Sequence, residues 1–129
     1  MEKNLTPLIS VIIPVHNAEK SIEKAVFSVL GQTYKHLQII IIDDGSTDST
    51  PAIVKKLSLG FPSVKLIQNT TNKGVSASRN LGIEAAKGKW LTFLDADDYF
   101  HRDYISSVSS YLPKYNFICT SYRQSDGRG

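Results

Sequence analysis

Residues 90 to 98 read Trp-Leu-Thr-Phe-Leu-Asp-Ala-Asp-Asp, an apolar run followed at once by three carboxylates. An apolar run of this length is typical of a buried β-strand. Carboxylates crowded just past such a strand repel one another and are costly to desolvate, so a divalent cation between them would offset their charge. Mg²⁺ binds through one or two carboxylates and keeps other positions for water and phosphate. The stretch therefore indicates a metal–diphosphate site, although a solvated acidic turn or a helix N-cap also fits the tetrapeptide taken alone.

Length and composition are those of an ordinary globular domain. The chain has 129 residues, of which 41% are hydrophobic and 21% charged, enough for one domain with a sizeable core. The net charge of +3 is small and the basic residues are scattered, which argues against a nucleic-acid partner. Cys119 is the single cysteine, so an internal disulfide is excluded and a small core residue is expected. The apolar run at 8–15 lacks the length and the basic flank of a secretory signal, and we expect a cytoplasmic protein.

Apolar strands and amphipathic helices alternate along the chain. The predicted strands occupy residues 8–15, 37–42, 64–68 and 90–94, with a further strand starting at 117, and the predicted helices occupy residues 22–30, 51–59, 75–87 and 103–112. Thr50 is the predicted N-cap of the second helix, because Pro51 suits its first position, and residues 43–46 are a predicted turn. Strands without polar alternation are buried on both faces. The pattern therefore predicts an α/β doubly wound fold with a mostly parallel sheet and helices on both faces.

Unusual polar residues follow the predicted strands at the point where each strand ends. In doubly wound folds, ligands bind beyond the carboxyl ends of the strands, so these groups are expected to meet at one edge of the sheet. The four groups are Pro14-Val15-His16-Asn17, Asp43-Asp44-Gly45-Ser46, Asn69 with Asn72-Lys73-Gly74, and Asp95-Ala96-Asp97-Asp98.

Several of these residues have a plausible role in binding a nucleotide. Asp44 could accept a hydrogen bond from the imide N–H of a uracil-like base, and Gly74 would allow close backbone approach. Lys73 and Arg79 could neutralise a diphosphate, Arg79 through a bidentate fork. Each residue alone has a simpler interpretation as a turn, a capping residue or a solvated helix residue, and only Asp44 and Asp97 together favour the functional interpretation. P-loop, dinucleotide-binding, zinc and nucleophile-elbow motifs are absent from the sequence.

Five segments together resemble the family 2 glycosyltransferases of the GT-A fold. They occupy residues 10–17, 30–34, 41–48, 72–80 and 88–98, and the resemblance runs from about Ile9 to the last predicted strand. A single Asp-x-Asp is a weak signal, whereas five segments in the family's order and spacing are a strong one. We expect one glycosyltransferase-like domain over residues 1–129, and the polar, glycine-rich residues 125–129 are predicted to fray.

The resemblance also implies an activity and a set of site residues. The activity is inverting, metal-dependent transfer of a sugar from a nucleotide-diphosphate sugar, often a UDP-sugar, to an acceptor hydroxyl. Pro14 and Val15 would flank the base, Asp44 would bind uracil with the support of Asp43, and Asp95 and Asp97 would hold Mg²⁺ or Mn²⁺. The implied nucleotide-binding residues are Pro14, Val15, His16, Asn17, Asp43, Asp44, Lys73, Gly74, Arg79, Asn80 and Asp95.

One expected feature of the family is missing from the sequence. The inverting mechanism uses an Asp or Glu general base downstream of the Asp-x-Asp, and Asp126, in the predicted tail, is not in the expected context. We therefore expect a truncated chain that carries the donor half of the enzyme. A non-catalytic nucleotide-binding or scaffolding module and a receiver-like phosphoacceptor domain are the alternatives. Further expectations are a glycan or lipid-linked acceptor, a role in cell-envelope polysaccharide synthesis, peripheral association with the inner face of the cell membrane, and a homodimer through an unpaired sheet edge.

Overall fold

The structure, a computed structural model, describes residues 6–112 and 114. Its elements follow one another as β1 (Ile9–Val15), α1 (Ile22–Leu30), β2 (Leu37–Asp44), α2 (Thr50–Gly60), β3 (Val64–Asn69), α3 (Val75–Ala85), β4 (Trp90–Phe93) and α4 (Tyr104–Ser109). The strand predicted to start at 117 and the tail 125–129 lie outside the described residues. None of the helices in the described part of the chain is long and apolar enough to cross a bilayer.

The four strands form one parallel sheet in the order β3-β2-β1-β4. β1 lies between β2 and β4, with Val15 opposite Asp43 and Ile12 opposite Phe93. At the other end of the order, Asp44 of β2 lies opposite Asn69 of β3. The predicted parallel α/β sheet is confirmed, and the carboxyl ends of all four strands point to the same edge.

Helices cover both faces of the sheet, as predicted. On one face, alternate residues of β1 and β2 pack with the apolar sides of α1 and α2 and with Ile105 of α4. On the other face, Ile12, Ile40 and Ile42 pack against α3. Because β1 and β2 are covered on both sides, their apolar side chains are almost completely buried, and this central pair holds the site-bearing edge rigid.

α3 lies unusually close to the sheet because Gly82 faces it. A Cβ atom at Gly82 would lie 2.4 Å from Ile12 Cγ2 and 3.0 Å from Ile42 Cδ1. No side chain fits that space without displacing the core. The close packing sets the position of the amino-terminal half of α3, which carries Arg79 and Asn80.

The prediction of a buried strand at 90–94 was wrong for part of its length. Leu91 and Phe93 are 40% and 42% exposed, whereas Leu94 is buried. Within the described residues, β4 pairs only with β1, and α3 packs over β1 and β2 rather than over β4. The apolar sequence therefore did not distinguish a central strand, which is buried on both faces, from β4, which is partly exposed.

Element boundaries also differ from the predictions. Asp43 and Asp44 extend β2 instead of forming a turn, because both pair with neighbouring strands. The N-cap of α2 is Ser49 rather than Thr50. α3 ends at Ala85, two residues before its predicted end, and α4 is shorter than predicted. Differences of this size are usual at helix ends.

Candidate nucleotide and metal site

Four connections meet at the carboxyl edge of the sheet, as the sequence predicts. We name them the first loop (16–21), the second loop (45–49), the third loop (70–74) and the acidic loop (95–98). They follow β1, β2, β3 and β4 respectively. Hydrogen bonds between residues far apart in sequence tie the first three loops to one another.

Asp44 organises the third loop. Its Oδ1 accepts hydrogen bonds from Asn69 Nδ2 at 2.9 Å and from the backbone N–H of Lys73 at 2.8 Å. Its Oδ2 accepts one from the backbone N–H of Gly74, also at 2.8 Å. Asp44 is only 4% exposed, so these three donors replace the water that the carboxylate loses on burial. Sequence reasoning missed this structural function, because no local pattern connects Asp44 with the third loop.

The surroundings of Asp44 keep it ionised. Burial alone would raise its pKa, but the hydrogen bonds from Lys73, Asn69 and Gly74, together with the nearby His16, lower the pKa below its ordinary value. The carboxylate is therefore charged at neutral pH and holds the third loop through charge-assisted hydrogen bonds.

The turn after Asp44 packs directly on the third loop. Gly45 has a φ of 68°, and a Cβ atom there would lie 2.7 Å from the backbone N of Asn72. Only glycine combines this left-handed conformation with so close an approach. His16 completes the junction, because its Nδ1 lies 2.8 Å from the backbone oxygen of Asp44.

The position of His16 determines the tautomer of its neutral ring. A carbonyl oxygen can only accept, so Nδ1 carries the proton and Nε2 is left as an acceptor. The side-chain amide nitrogens of Asn72 and Asn17 lie 3.3 Å and 3.4 Å from Nε2. The exposed imidazole therefore lies at the junction of the first three loops, in the position that the sequence predicted for a nucleotide-binding residue.

Asn17 joins the first loop to the second. Its backbone is in the left-handed region with a φ of 49°, and its N–H donates to Ser46 Oγ at 2.9 Å. Its Oδ1 accepts hydrogen bonds from the backbone N–H groups of Thr47 at 2.7 Å and Asp48 at 3.3 Å. The side-chain oxygen of Asn17 is thus occupied by the protein itself.

The acidic loop brings three carboxylates together. Oxygen atoms of Asp95, Asp97 and Asp98 all lie within 4.8 Å of one another, and all three residues are exposed. The backbone N–H of Asp98 donates to Asp95 O at 3.0 Å, which folds the loop into a turn around the buried Ala96. Asp95 and Asp97 are the predicted metal pair, and Asp98 is a third acid that the prediction did not include.

The crowding of the acidic loop affects Asp98. Burial raises the pKa of Asp98, and the charges of Asp97 and Asp95 raise it further. Carboxylate oxygens are hard ligands, and the repulsion between neighbouring carboxylates is relieved when a cation binds between them. Such a cluster suits a divalent cation such as Mg²⁺ or Mn²⁺. The donor set therefore fits the predicted metal.

Arg79 reaches the acidic loop from α3. Its Nη2 lies 3.4 Å from Asp95 Oδ1, and the two side chains are 40% and 57% exposed. The sequence predicted that Arg79 would face a diphosphate, and the structure puts its guanidinium beside the first acid of the Asp-x-Asp. Lys73 of the third loop and Asn80 of α3 are both exposed.

Pro14 and Val15, which were predicted to flank the base, belong to the central strand of the sheet. Both are buried within β1, where they lie opposite Ile42 and Asp43 of β2. The side chain of Val15 belongs to the apolar core. Contact of either residue with a base would therefore involve its backbone.

A cavity of about 460 Å³ opens between the first loop and the acidic loop. Its lining residues are His16, Asn17, Ala18, Glu19, Lys20, Ser21, Asp48, Ala96 and Asp97. Sequence reasoning did not select Lys20, an exposed cation on the same cavity as Asp97. Glu19 lines the same cavity and is hydrogen-bonded to the second loop, because its Oε2 accepts the N–H of Ser49 at 2.9 Å.

Comparison with known proteins identifies the family. The model of the family described as glycosyl transferase family 2 matches residues 10–129. The chain belongs to glycosyl transferase family 2. This family 2 chain is 39% identical over 114 residues to an uncharacterised glycosyltransferase of Haemophilus influenzae, a match that covers 88% of the chain and 46% of that relative. The chain thus spans less than half the length of this curated relative.

Solved structures show the same fold in larger glycosyltransferases. The family 2 chain superposes on Staphylococcus aureus TarS, residues 1–349, with a TM-score of 0.75 and 30% identity, covering 82% of the chain and 32% of TarS. It superposes on the mannosyltransferase PcManGT of Pyrobaculum calidifontis with a TM-score of 0.76 and 26% identity, covering 84% of the chain and 33% of PcManGT. The predicted GT-A fold is confirmed. TarS has been solved with UDP and with UDP-GlcNAc, and PcManGT with GDP-Man and Mn²⁺.

Proposed function

We propose that this chain is the donor-binding part of an inverting, metal-dependent glycosyltransferase that takes a nucleotide-diphosphate sugar, with UDP as the preferred nucleotide. The observation that carries the proposal is the cluster of Asp95, Asp97 and Asp98 at the strand edge shared with Asp44 and the first three loops. The complexes of TarS with UDP and UDP-GlcNAc support a uridine donor, and the complex of PcManGT with GDP-Man and Mn²⁺ supports a divalent metal.

In this proposal Asp95 and Asp97 hold Mg²⁺ or Mn²⁺, with Asp98 close enough to serve as a third oxygen ligand. The bound cation offsets the negative charge that develops on the leaving nucleoside diphosphate. Arg79 already lies beside Asp95, where its planar fork can turn between this carboxylate and a phosphate oxygen.

The nucleotide would lie against the junction of the first three loops. The ionised Asp44 accepts three hydrogen bonds from the protein, and a carboxylate has about four lone-pair sites, so one remains for a base N–H. His16 Nε2 lies within 3.4 Å of the amide nitrogens of Asn72 and Asn17, and a ligand hydroxyl or N–H could replace either of them as its donor. Gly74 has a φ of 98°, a conformation that favours glycine, and a Cβ atom there would meet no other atom of the described residues within 4 Å. These arrangements support nucleotide-binding roles for Asp44, His16 and Gly74.

The general base stays unassigned in this proposal. Asp43 accepts the N–H of Ser46, and Asp48 accepts those of Glu19 and Thr50, so these nearby acids are engaged within the loops. We therefore assign the chain the donor and metal functions only. A single domain over residues 1–129, a glycan or lipid-linked acceptor, a role at the inner face of the cell membrane and a homodimer stay predictions.

Calorimetric titration of UDP into the full chain, first with Mn²⁺ and then with EDTA, tests the proposal. We expect binding that requires Mn²⁺, that is weaker with GDP and that Asp97→Ala abolishes. Asp103→Asn is the matched control, because Asp103 is an exposed acid at the start of α4 with no capping hydrogen bond from its side chain. Binding that persists in EDTA would contradict the metal function. A folded chain that binds no nucleotide would instead favour the scaffolding module.

A further inference from the structure

Two polar side chains of α1 and one just beyond its end face the segment that follows the acidic loop. Lys24 and Ser28 are four residues apart and share one side of α1, and Gln32 follows Gly31, the C-cap of the helix. We call these three residues the α1 stripe. Each one contacts a different point between residues 99 and 105.

The first two contacts lie closest to the acids. Lys24 Nζ lies 4.2 Å from the centroid of the Tyr99 ring, a cation–π contact one residue beyond Asp98. Ser28 Oγ accepts the backbone N–H of Phe100 at 3.0 Å, while its own hydroxyl donates to Ala25 O at 2.7 Å. The hydroxyl of Ser28 therefore links the body of α1 to the chain two residues after the acidic loop.

Gln32 makes the most extensive contact. Its side chain is fully buried, and Nε2 donates to His101 O at 2.6 Å and to Ser28 O at 3.0 Å. Its Oε1 accepts the backbone N–H of Ile105 at 2.9 Å. A buried amide with every partner supplied by the protein fixes backbone positions strongly, because an alternative arrangement would leave polar groups unpaired.

The acidic loop is anchored on its other side as well. The N–H of Leu94 donates to Ile12 O at 3.0 Å, and Leu94 is 4% exposed. The loop of four residues therefore lies between an anchor on β1 and the anchors on α1. Mutual repulsion would drive three carboxylates within 4.8 Å of one another apart if either end were free.

We propose that the α1 stripe positions the acidic loop, and that Ser28 and Gln32 are positioning residues for cation binding although neither lies in the acidic cluster. The inference rests on the proposed metal function, because it assigns these residues to the support of that same site. Partners hydrogen-bonded directly to metal ligands commonly affect metal affinity by about 10-fold or more. Ser28 and Gln32 bond the backbone beyond the ligands instead, so we expect an effect at the lower end of that range.

The first test is calorimetric titration of Mn²⁺ alone into the full chain and its Ser28→Ala variant. We expect Ser28→Ala to raise the Kd for Mn²⁺ by about 10-fold. Ser28→Thr, which keeps the hydroxyl, should restore most of the affinity. Ser58→Ala is the matched control, because the hydroxyl of Ser58 donates to Lys55 O within α2, the same local bond that Ser28 makes within α1. Equal Mn²⁺ affinity in Ser28→Ala and the wild type would overturn the proposal.

A second variant and a second measurement distinguish loss of positioning from loss of folding and from failure of the proposed metal function. Lys24→Met removes an exposed positive charge near the acids, which by charge alone would strengthen Mn²⁺ binding. Weaker Mn²⁺ binding in this variant would therefore support positioning of the loop by Lys24, and stronger binding would count against it. Hydrogen exchange of the Asp98 amide, which is bonded to Asp95 O, reports on the acidic loop in the absence of metal. It should accelerate about fivefold in Ser28→Ala and not in Ser58→Ala. A wild type that fails to bind Mn²⁺ would refute the proposed metal function, whereas unchanged exchange of Asp98 would refute the positioning by α1.

Discussion

Asp44 Oδ2 accepts a hydrogen bond from the backbone N–H of Gly74 at 2.8 Å, thirty residues further along the chain. With the parallel bond from Lys73 to Oδ1, the carboxylate holds two consecutive N–H groups of the third loop. The end of β2 and the start of α3 are joined in this way, and Arg79 follows within the same helix. One buried charge therefore connects the base side of the proposed site to its phosphate side.

Replacement of Asp44 by Asn should destabilise the protein. The amide presents an NH₂ group in place of one acceptor oxygen, so either the N–H of Lys73 loses its acceptor or the N–H of Gly74 keeps only Asn72 Oδ1. We expect the free energy of unfolding to fall by about 1–3 kcal/mol in urea titrations. Asp103→Asn, at an exposed acid without a capping bond, should change it by no more than about 0.5 kcal/mol. Equal losses in the two variants would contradict the organising function of Asp44.

The contribution of Asp44 to the free energy of unfolding should be lost in acid. Although burial raises its pKa, the donors from Lys73, Asn69 and Gly74 outweigh that effect, and the pKa lies below the ordinary value of 3.8. The unfolded chain then binds the proton first, so this contribution is complete above pH 3.8 and is lost as the pH falls through the lower, folded-state pKa. Urea unfolding of the wild type between pH 7 and the acid limit of folding should show the loss. Asp44→Asn should lose less stability over the same interval, and parallel pH profiles would contradict the assignment.

Gly82→Ala should disturb the contact between α3 and the sheet. The new Cβ would lie 2.4 Å from Ile12 Cγ2, and overpacking of this kind costs about 1–3 kcal/mol. Gly60→Ala is the matched control at the end of α2, where a Cβ would meet nothing within 4 Å. That control should be neutral or stabilise the protein by up to about 1 kcal/mol. Thermal unfolding of both variants measures the difference, and a Gly82→Ala variant as stable as Gly60→Ala would show that α3 can move away from the sheet.

Arg79→Met should weaken ligand binding with little effect on the stability of the protein. The ion pair with Asp95 is long at 3.4 Å and both side chains are well exposed, so its loss should change the free energy of unfolding by less than about 1 kcal/mol. Loss of a phosphate contact should nevertheless weaken Mn²⁺-dependent binding of UDP by about 10-fold or more, as for other charge-assisted hydrogen bonds. Arg102→Met, at an exposed cation beside α4, is the control in the same calorimetric titration. Unchanged UDP affinity in Arg79→Met would remove Arg79 from the proposed diphosphate site.

Much of the fold could be predicted from the sequence because its signals are local. Apolar runs predicted β1 to β4, and the spacing of Ile22, Ala25, Val26 and Val29 predicted the buried side of α1. Parallel strands necessarily bring their carboxyl ends to one edge, so the convergence of Asp44, Lys73 and Asp95 followed from the alternation of strands and helices alone.

The tertiary structure decided what each of these residues contacts. The exposure of Leu91 and Phe93 depends on where α3 packs, and the inclusion of Asp98 in the acidic cluster depends on the turn around Ala96. Asp44 meets the third loop, and Ser28 and Gln32 meet residues 100–105, through hydrogen bonds that span 25 to 73 residues of sequence. Periodicity and turn propensity act over a few residues. The amino-acid sequence by itself therefore determined which residues reach the edge of the sheet, and long-range packing determined how they are held there.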